Sequence, residues 1–197
     1  AEAVPLTGID LMICRDMIGH AIGDGAEAEI AETVRVLGAE KSPQVSSVLA
    51  QVPAVPGVIP RRLDIDLTDQ LSDYAGFQDA KIPFLFYHSG RNEHYHASSD
   101  KPESLDFPKM DACVEHLTGV VTLAANAPIE PFVYESDGQD HGTTLETIGI
   151  LLPTLPMSAR LAEQAPQLLA ALMDKQSTTG LTERDWQIVR RIFLAID

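Results

Sequence analysis

Basic side chains are scarce in this sequence: 14 Lys and Arg stand against 29 Asp and Glu, which leaves a formal net charge of -15 over 197 residues. They form no basic run, so a polyanion meets repulsion and a nucleic-acid partner is excluded. Cysteine is almost missing as well, with Cys14 in a strand-like apolar run and Cys113 in a helix-like run as the two examples. A disulfide framework needs more than this, so both read as buried thiols, and a single bridge between them stays open. No apolar run is long enough to span a bilayer, and no membrane segment is expected. Internal repeats and low-complexity tracts are absent, and the first residues, AEAVPLTG, lack both Met and a charged-then-apolar leader pattern. The start reads as cut or processed.

What is present has globular proportions. Hydrophobic residues at 45% and charged residues at 22% fill one core at this length, or one core with a small appendage. Ile9 to Asp16, IDLMICRD, is a short apolar run ending in a charge, the mark of a strand buried on both faces with Asp16 at its end. Gly19, Gly23 and Gly25 make a loop. Ala28 to Leu37 mixes helix-favouring Ala and Glu with strand-favouring Val34, Val36 and Leu37, and leaves both open. Ser42-Pro43 opens a helix with Ser as cap, and Val45, Val48, Leu49 and Val52 follow at helical spacing until Pro53. Leu63 to Leu67 alternates apolar residues with Asp64 and Asp66, which predicts a short strand with one wet face near a sheet edge.

Ser72 is a plausible cap for a helix running through Phe77 to Ala80, and Ile82 to Tyr87 is an apolar, aromatic-rich strand. A long amphipathic helix begins at Phe107 and ends by Pro128, with Met110, Val114, Leu117, Val120, Val121 and Ala124 on one stripe. Beyond Pro131 come a polar loop from Glu135 to Gly142, an apolar stretch from Leu145 to Leu152, and two helical patterns, Ser158 to Met173 and Thr182 to Ile196. The last two read as a helical hairpin, with Thr182 and Asp185 as a capping pair.

The chemistry-bearing side chains crowd into one stretch, Ser72 to Asp106, where His88, Glu93, His94, Tyr95, His96 and Asp100 follow a buried strand almost side by side. An open α/β sheet puts its crevice beyond the carboxyl ends of its strands, which is where this loop falls. Taken singly, Asp16 is an ordinary strand-end aspartate and each histidine an ordinary loop or packing residue, His20, His116 and His141 included. His88 and His94 read as structural or solvated. A rival site could combine His94 and His96 with Glu93 or His88, since alternate residues of an extended segment share a face. Asp64, Asp66 and Asp69 read as a solvated acidic face rather than a calcium loop, lacking its glycine and distal glutamate.

Three blocks in order change the weight of these residues. SDYAGFQDAKIPFLFYHSG followed by EHYHASSDKPESLD resembles the closing signature of the co-catalytic di-zinc aminopeptidases, the group that includes glutamate carboxypeptidases and glutaminyl cyclases. CRDMIGH is similar to the family's Asn-x-Asp-Met-x-Gly, and LGAEKSP lies between the two blocks where relatives carry Leu-Gly-x-Glu-x-Ser. The resemblance implies that Asp16 is a carboxylate ligand of one zinc and His96 an imidazole ligand of the other, donor types that suit the metal. It also implies that Asp100 supports His96 or its loop, that Asp73 lies near the substrate pocket, and that Tyr95 packs beside His96. Cys14 stands where the family has Asn, and Tyr74 where it has His.

A larger departure is that the family's earlier His-x-Asp, bridging Asp and Glu-Glu pair find no counterpart before Ile9. The chain is therefore expected to correspond to the C-terminal half of a family member, binding little zinc and hydrolysing little by itself, since tight zinc takes three or four protein ligands. Its fold is expected to be α/β, a three-layer α/β/α arrangement on a mixed, mostly parallel sheet. Residues 1–128 would form the peptidase-like half-domain and residues 129–197 a helical C-terminal appendage. The function implied is a zinc-dependent exopeptidase acting on a peptide with a free N-terminus. The alternatives are a non-catalytic binding or assembly module with a relict metal site, and a related amide hydrolase or cyclase. The missing half, or a second copy, is expected to cover the open sheet edge. Exported relatives lean the location towards extracytoplasmic.

Overall fold

The structure, a computed structural model, describes residues 5–20, 28–70, 72–92, 94–126, 131–154 and 159–194. Its sheet has four strands, β1 (Met12–Arg15), β2 (Thr33–Leu37), β3 (Ile59–Leu63) and β4 (Phe84–His88), in the order β1-β4-β2-β3. β1 runs parallel to β4 and β2 parallel to β3, while β2 and β4 are antiparallel, with Arg35 opposite His88. The sheet is thus mixed and mostly parallel. β2 and β4 are buried at every position: FLFYH is a nearly continuous apolar run, whereas TVRVL alternates Thr33 and Arg35 with valines and buries both polar side chains.

The helices are α1 (Ala28–Ala31), α2 (Pro43–Gln51), α3 (Ala75–Asp79), α4 (Phe107–Ala125), α5 (His141–Leu151), α6 (Ala159–Thr178) and α7 (Glu183–Leu194). They build two layers. Val34, Val36, Leu85 and Tyr87 on one sheet face pack in one cluster with Val45 and Val48 of α2 and Cys113, Leu117 and Val120 of α4. On the other face Leu37, Leu63, Phe84 and Phe86 share a cluster with Leu145 and Ile148 of α5, Leu169 of α6, and Trp186, Val189 and Phe193 of α7. The C-terminal helices therefore supply the third layer of the sandwich. Fully burying a side chain such as Phe193 contributes about 2 kcal/mol, so this layer is a substantial part of the core.

The two sheet edges differ. At β3 the side chains of α5 stand in for a neighbouring strand: Thr144 Oγ1 accepts from the Asp64 N–H at 2.9 Å, and the Thr147 hydroxyl donates to the Arg62 carbonyl at 2.9 Å. Pro60 within β3 is tolerated because the strand lies at an edge. At β1 the even-numbered residues bond to β4, as in Asp16 N–H to Tyr87 O at 2.9 Å. Ile13 and Arg15 turn their backbone groups outward, where no partner lies among the described residues.

Several local expectations are corrected. The strand expected over Leu63 to Leu67 ends at Leu63, and Ile65–Leu67 is a 3-10 turn. Its backbone is claimed by side chains, since Glu40 Oε1 accepts from Ile65 N–H at 2.9 Å. Asp64 is not on a solvated face but 1% exposed, accepting from the Asp140 N–H at 2.8 Å. Asp66 and Asp69 are paired with Lys41 and Arg190. On α4 the buried stripe is rotated: Lys109, Ala112, Cys113, His116, Leu117 and Val120 face inward, while Val114 and Val121 are exposed. Lys109 goes inward because its ammonium donates to the carbonyls of His20, Ala31 and Thr33 at 2.8 to 2.9 Å. Ser72 does not cap a helix; α3 starts at Ala75 without a side-chain cap. Ser42 does cap α2, accepting from Val45 N–H at 3.5 Å. Cys14 and Cys113 are free and buried, and among the described residues no helix is long and apolar enough to cross a membrane.

Candidate functional site

β1 and β4 end side by side, and the segments that follow them make the site. Asp16 is the first residue after β1, and Ser89 N–H bonds to the Met17 carbonyl at 3.2 Å, tying the two strand ends together. After β4 the chain turns at Gly90 (φ 91°) against the Arg35 guanidinium, where a Cβ would lie 2.9 Å from Cζ and force the guanidinium to move. The loop then folds through successive turns: Asn92 Oδ1 accepts from His94 N–H at 2.7 Å, Tyr95 N–H bonds to Asn92 O, and Asp100 N–H bonds to Ala97 O.

A pocket of about 410 Å³ opens at this point, and Asp16, His88, Arg91, Tyr95, His96 and Asp100 line it together with Met17. Asp16, Tyr95, His96 and Asp100, picked out from the sequence, thus come to one cavity from two strand ends. Asp73 is exposed and does not line it. The Tyr95 ring stacks on His96 at 4.0 Å between centroids, and the Arg91 guanidinium lies 5.2 Å from the centre of the same ring. Met17 (φ 53°) and His96 (φ 53°) both hold left-handed backbone conformations. Such a conformation costs a non-glycine residue about 1 kcal/mol, and strain of this kind clusters at functional sites.

Two features escaped the sequence reading. The Ser72 hydroxyl donates to Asp16 Oδ2 at 3.2 Å and lies 3.5 Å from Cys14 Sγ, so it holds the Asp16 carboxylate in place. Its adjacency to Asp73 in the Ser-Asp block was the available signal. His88 is the second: it is 5% exposed, stacks on Phe86 at 4.8 Å, and its Nδ1 accepts from the Gly90 N–H at 3.2 Å. Burial, then the positive charges of Arg35 and Arg91, push its pKa down to about 3, so the imidazole is neutral. His94 lies apart from the pocket lining, with Nδ1 3.1 Å from the Ser99 hydroxyl, and Glu93 of the rival site falls outside the described residues.

Carboxylate and neutral imidazole are the donor types that zinc takes. Their number is short, because among the described residues no group of three His, Cys, Asp or Glu side chains is arranged to hold a metal ion. The donor set fits zinc in kind and not in count.

A layered α/β fold whose ligand-type residues converge at the carboxyl ends of two parallel strands places its candidate site where open α/β sheets carry theirs. The sequence model of peptidase family M28 matches residues 6–121, and the chain belongs to that family. It is also similar to the solved structure of the LapA aminopeptidase of Legionella pneumophila, at 19% identity and a TM-score of 0.48. That match covers 61% of this chain and 32% of the LapA chain, so it spans about a third of the length of that protein. No curated protein matches the chain.

Proposed function

We propose that the chain carries one part of a zinc-dependent exopeptidase site, acting on a peptide beside its free N-terminus. The observation that supports this reading best is the meeting of Asp16 and His96 in one pocket, each at or beside a strained backbone position. In this reading Asp16, held by Ser72, and His96, held by the Tyr95 ring, each give one ligand to a metal that the family generally uses. Asp100 supports the loop, and Asp73 sits outside the cavity on the substrate approach. Two donors by themselves do not make a zinc site.

The remaining donors and a general base come from a further polypeptide segment, the rest of a longer chain. The open edge of β1 is where that segment pairs, next to Asp16. A zinc titration followed by calorimetry tests the first half of this reading. The chain alone is expected to bind zinc weakly, with Asp16→Ala and His96→Ala each weakening it further. Hydrolysis of aminoacyl-anilides is expected after a segment carrying the missing donors is supplied. Tight, stoichiometric zinc with turnover by the chain alone would overturn the claim of incompleteness. Zinc binding indifferent to both substitutions would favour the second reading, a binding module with a relict site, to which the short donor set also points.

A further inference from the structure

His88 is an unusual wall for a pocket. Its Nδ1 accepts the Gly90 N–H at 3.2 Å, so the proton of the neutral ring must sit on Nε2. Nε2 has no hydrogen-bond partner among the described residues, although the residue is 5% exposed and its ring lines the cavity. Nε2 is not among the polar side-chain atoms sealed from solvent without a partner, so it opens onto the cavity, where water or a ligand accepts from it. Three residues along the chain, the Arg91 guanidinium enters the same cavity, held over the Tyr95 ring at 5.2 Å. The stack of His88 on Phe86, 8° from parallel, fixes the direction in which the imidazole presents its donor.

We propose that His88 Nε2–H and the Arg91 guanidinium form a carboxylate-binding corner of this pocket, so that the ligand accepted here carries a carboxylate. One neutral and one cationic donor lining the same cavity suit the two oxygens of a carboxylate, and the guanidinium supplies the charge. The other wall holds Asp16 and Asp100, which repel an anion and confine it to the His88 and Arg91 side. Read with the function proposed above, this defines the substrate class as peptides bearing a carboxylate, on a side chain or at a free C-terminus. The inference rests on that reading only for the word substrate; carboxylate binding itself is a property of this chain without metal.

The test uses the full chain, metal-free, near pH 7, with imidazole nitrogen and proton resonances of His88 followed by NMR. Three probes separate the sources: N-acetyl-glutamic acid amide carries a side-chain carboxylate, N-acetyl-glutamine a terminal one, and N-acetyl-glutamine amide neither. At least one of the first two is expected to shift the His88 Nε2–H signal saturably, and the third is not. Arg91 is exposed, so Arg91→Gln leaves the fold intact and is expected to weaken the response about fivefold. Asp100→Asn removes a repelling charge and is expected to strengthen it about twofold. Equal shifts with all three probes, or an Arg91→Gln protein that binds as well as the parent, overturn the proposal. A chain that binds carboxylates in this way and yet hydrolyses no peptide once zinc and the segment with the missing donors are supplied refutes the exopeptidase reading and leaves the corner standing.

Discussion

Replacing Asp64 by Asn tests whether the polar cluster between the sheet and the C-terminal layer is stressed by its own charge. Asp64 is 1% exposed, and burial, with repulsion from Asp140 and Asp66, raises its pKa from 3.8 to about 7. Oδ1 accepts from the Asp140 N–H at 2.8 Å, but Oδ2 is buried without a hydrogen bond, 3.7 Å from a His141 Nε2 in the same condition. A folded pKa above the unfolded one means that the native state binds the proton more tightly. Stability from this group is therefore fullest below about pH 4 and is lost as pH rises towards the folded pKa near 7. Between pH 5 and pH 7 the loss integrates to about 2 kcal/mol, because the folded group is half ionised at the upper limit. Asn keeps the acceptor for Asp140 and carries no charge. The stability difference, Asp64→Asn minus wild type, is expected to grow by about 2 kcal/mol over that range, about 4–8 °C in Tm for a chain of this size. Urea unfolding at five pH values reads it, and comparing the two proteins at each pH cancels the other titrating groups. Parallel stability profiles would refute the reasoning, as would a variant that falls further behind as pH rises.

The other predictions concern packing and the site. Lys109→Met removes three donors from the carbonyls of His20, Ala31 and Thr33 and is expected to cost about 3 kcal/mol in denaturant unfolding. Gly38→Ala forces a Cβ to 2.6 Å from the Phe84 ring at φ 90° and is expected to cost about 3 kcal/mol, visible as a lowered Tm. Ser72→Ala frees the Asp16 carboxylate and, once the site is completed by the further segment, is expected to lower zinc affinity about tenfold with little change in Tm.

Much of the fold could be read from the sequence wherever one force dominated. β1 and β4 are apolar runs with a single meaning, and Ser42-Pro43 starts α2 as its chemistry dictates. The misreadings share a cause: a polar side chain satisfied by distant backbone. Lys109 looks like a surface residue until the carbonyls of His20, Ala31 and Thr33 surround it, and its inward turn rotates the whole face of α4. Asp64 completes a false alternation because its partner, the start of α5, lies 76 residues away. The ambiguity at Ala28 to Leu37 reflects a real change of structure at Thr33, with α1 before it and β2 after. At the site, the family resemblance picked out Asp16 and His96, which line one pocket, whereas Ser72 and His88 depend on contacts that only the folded chain creates.

The unlike edges of the sheet set how far this protein can associate. Thr144 and Thr147 plug the β3 side, so among the described residues the edge left for a neighbouring strand is that of β1. Two copies meeting there use up the one available face on each, and nothing remains for a third. Where the edge of β1 is taken by a second copy, backbone association would be self-limiting, giving pairs and not filaments, because two hydroxyl groups close the other edge.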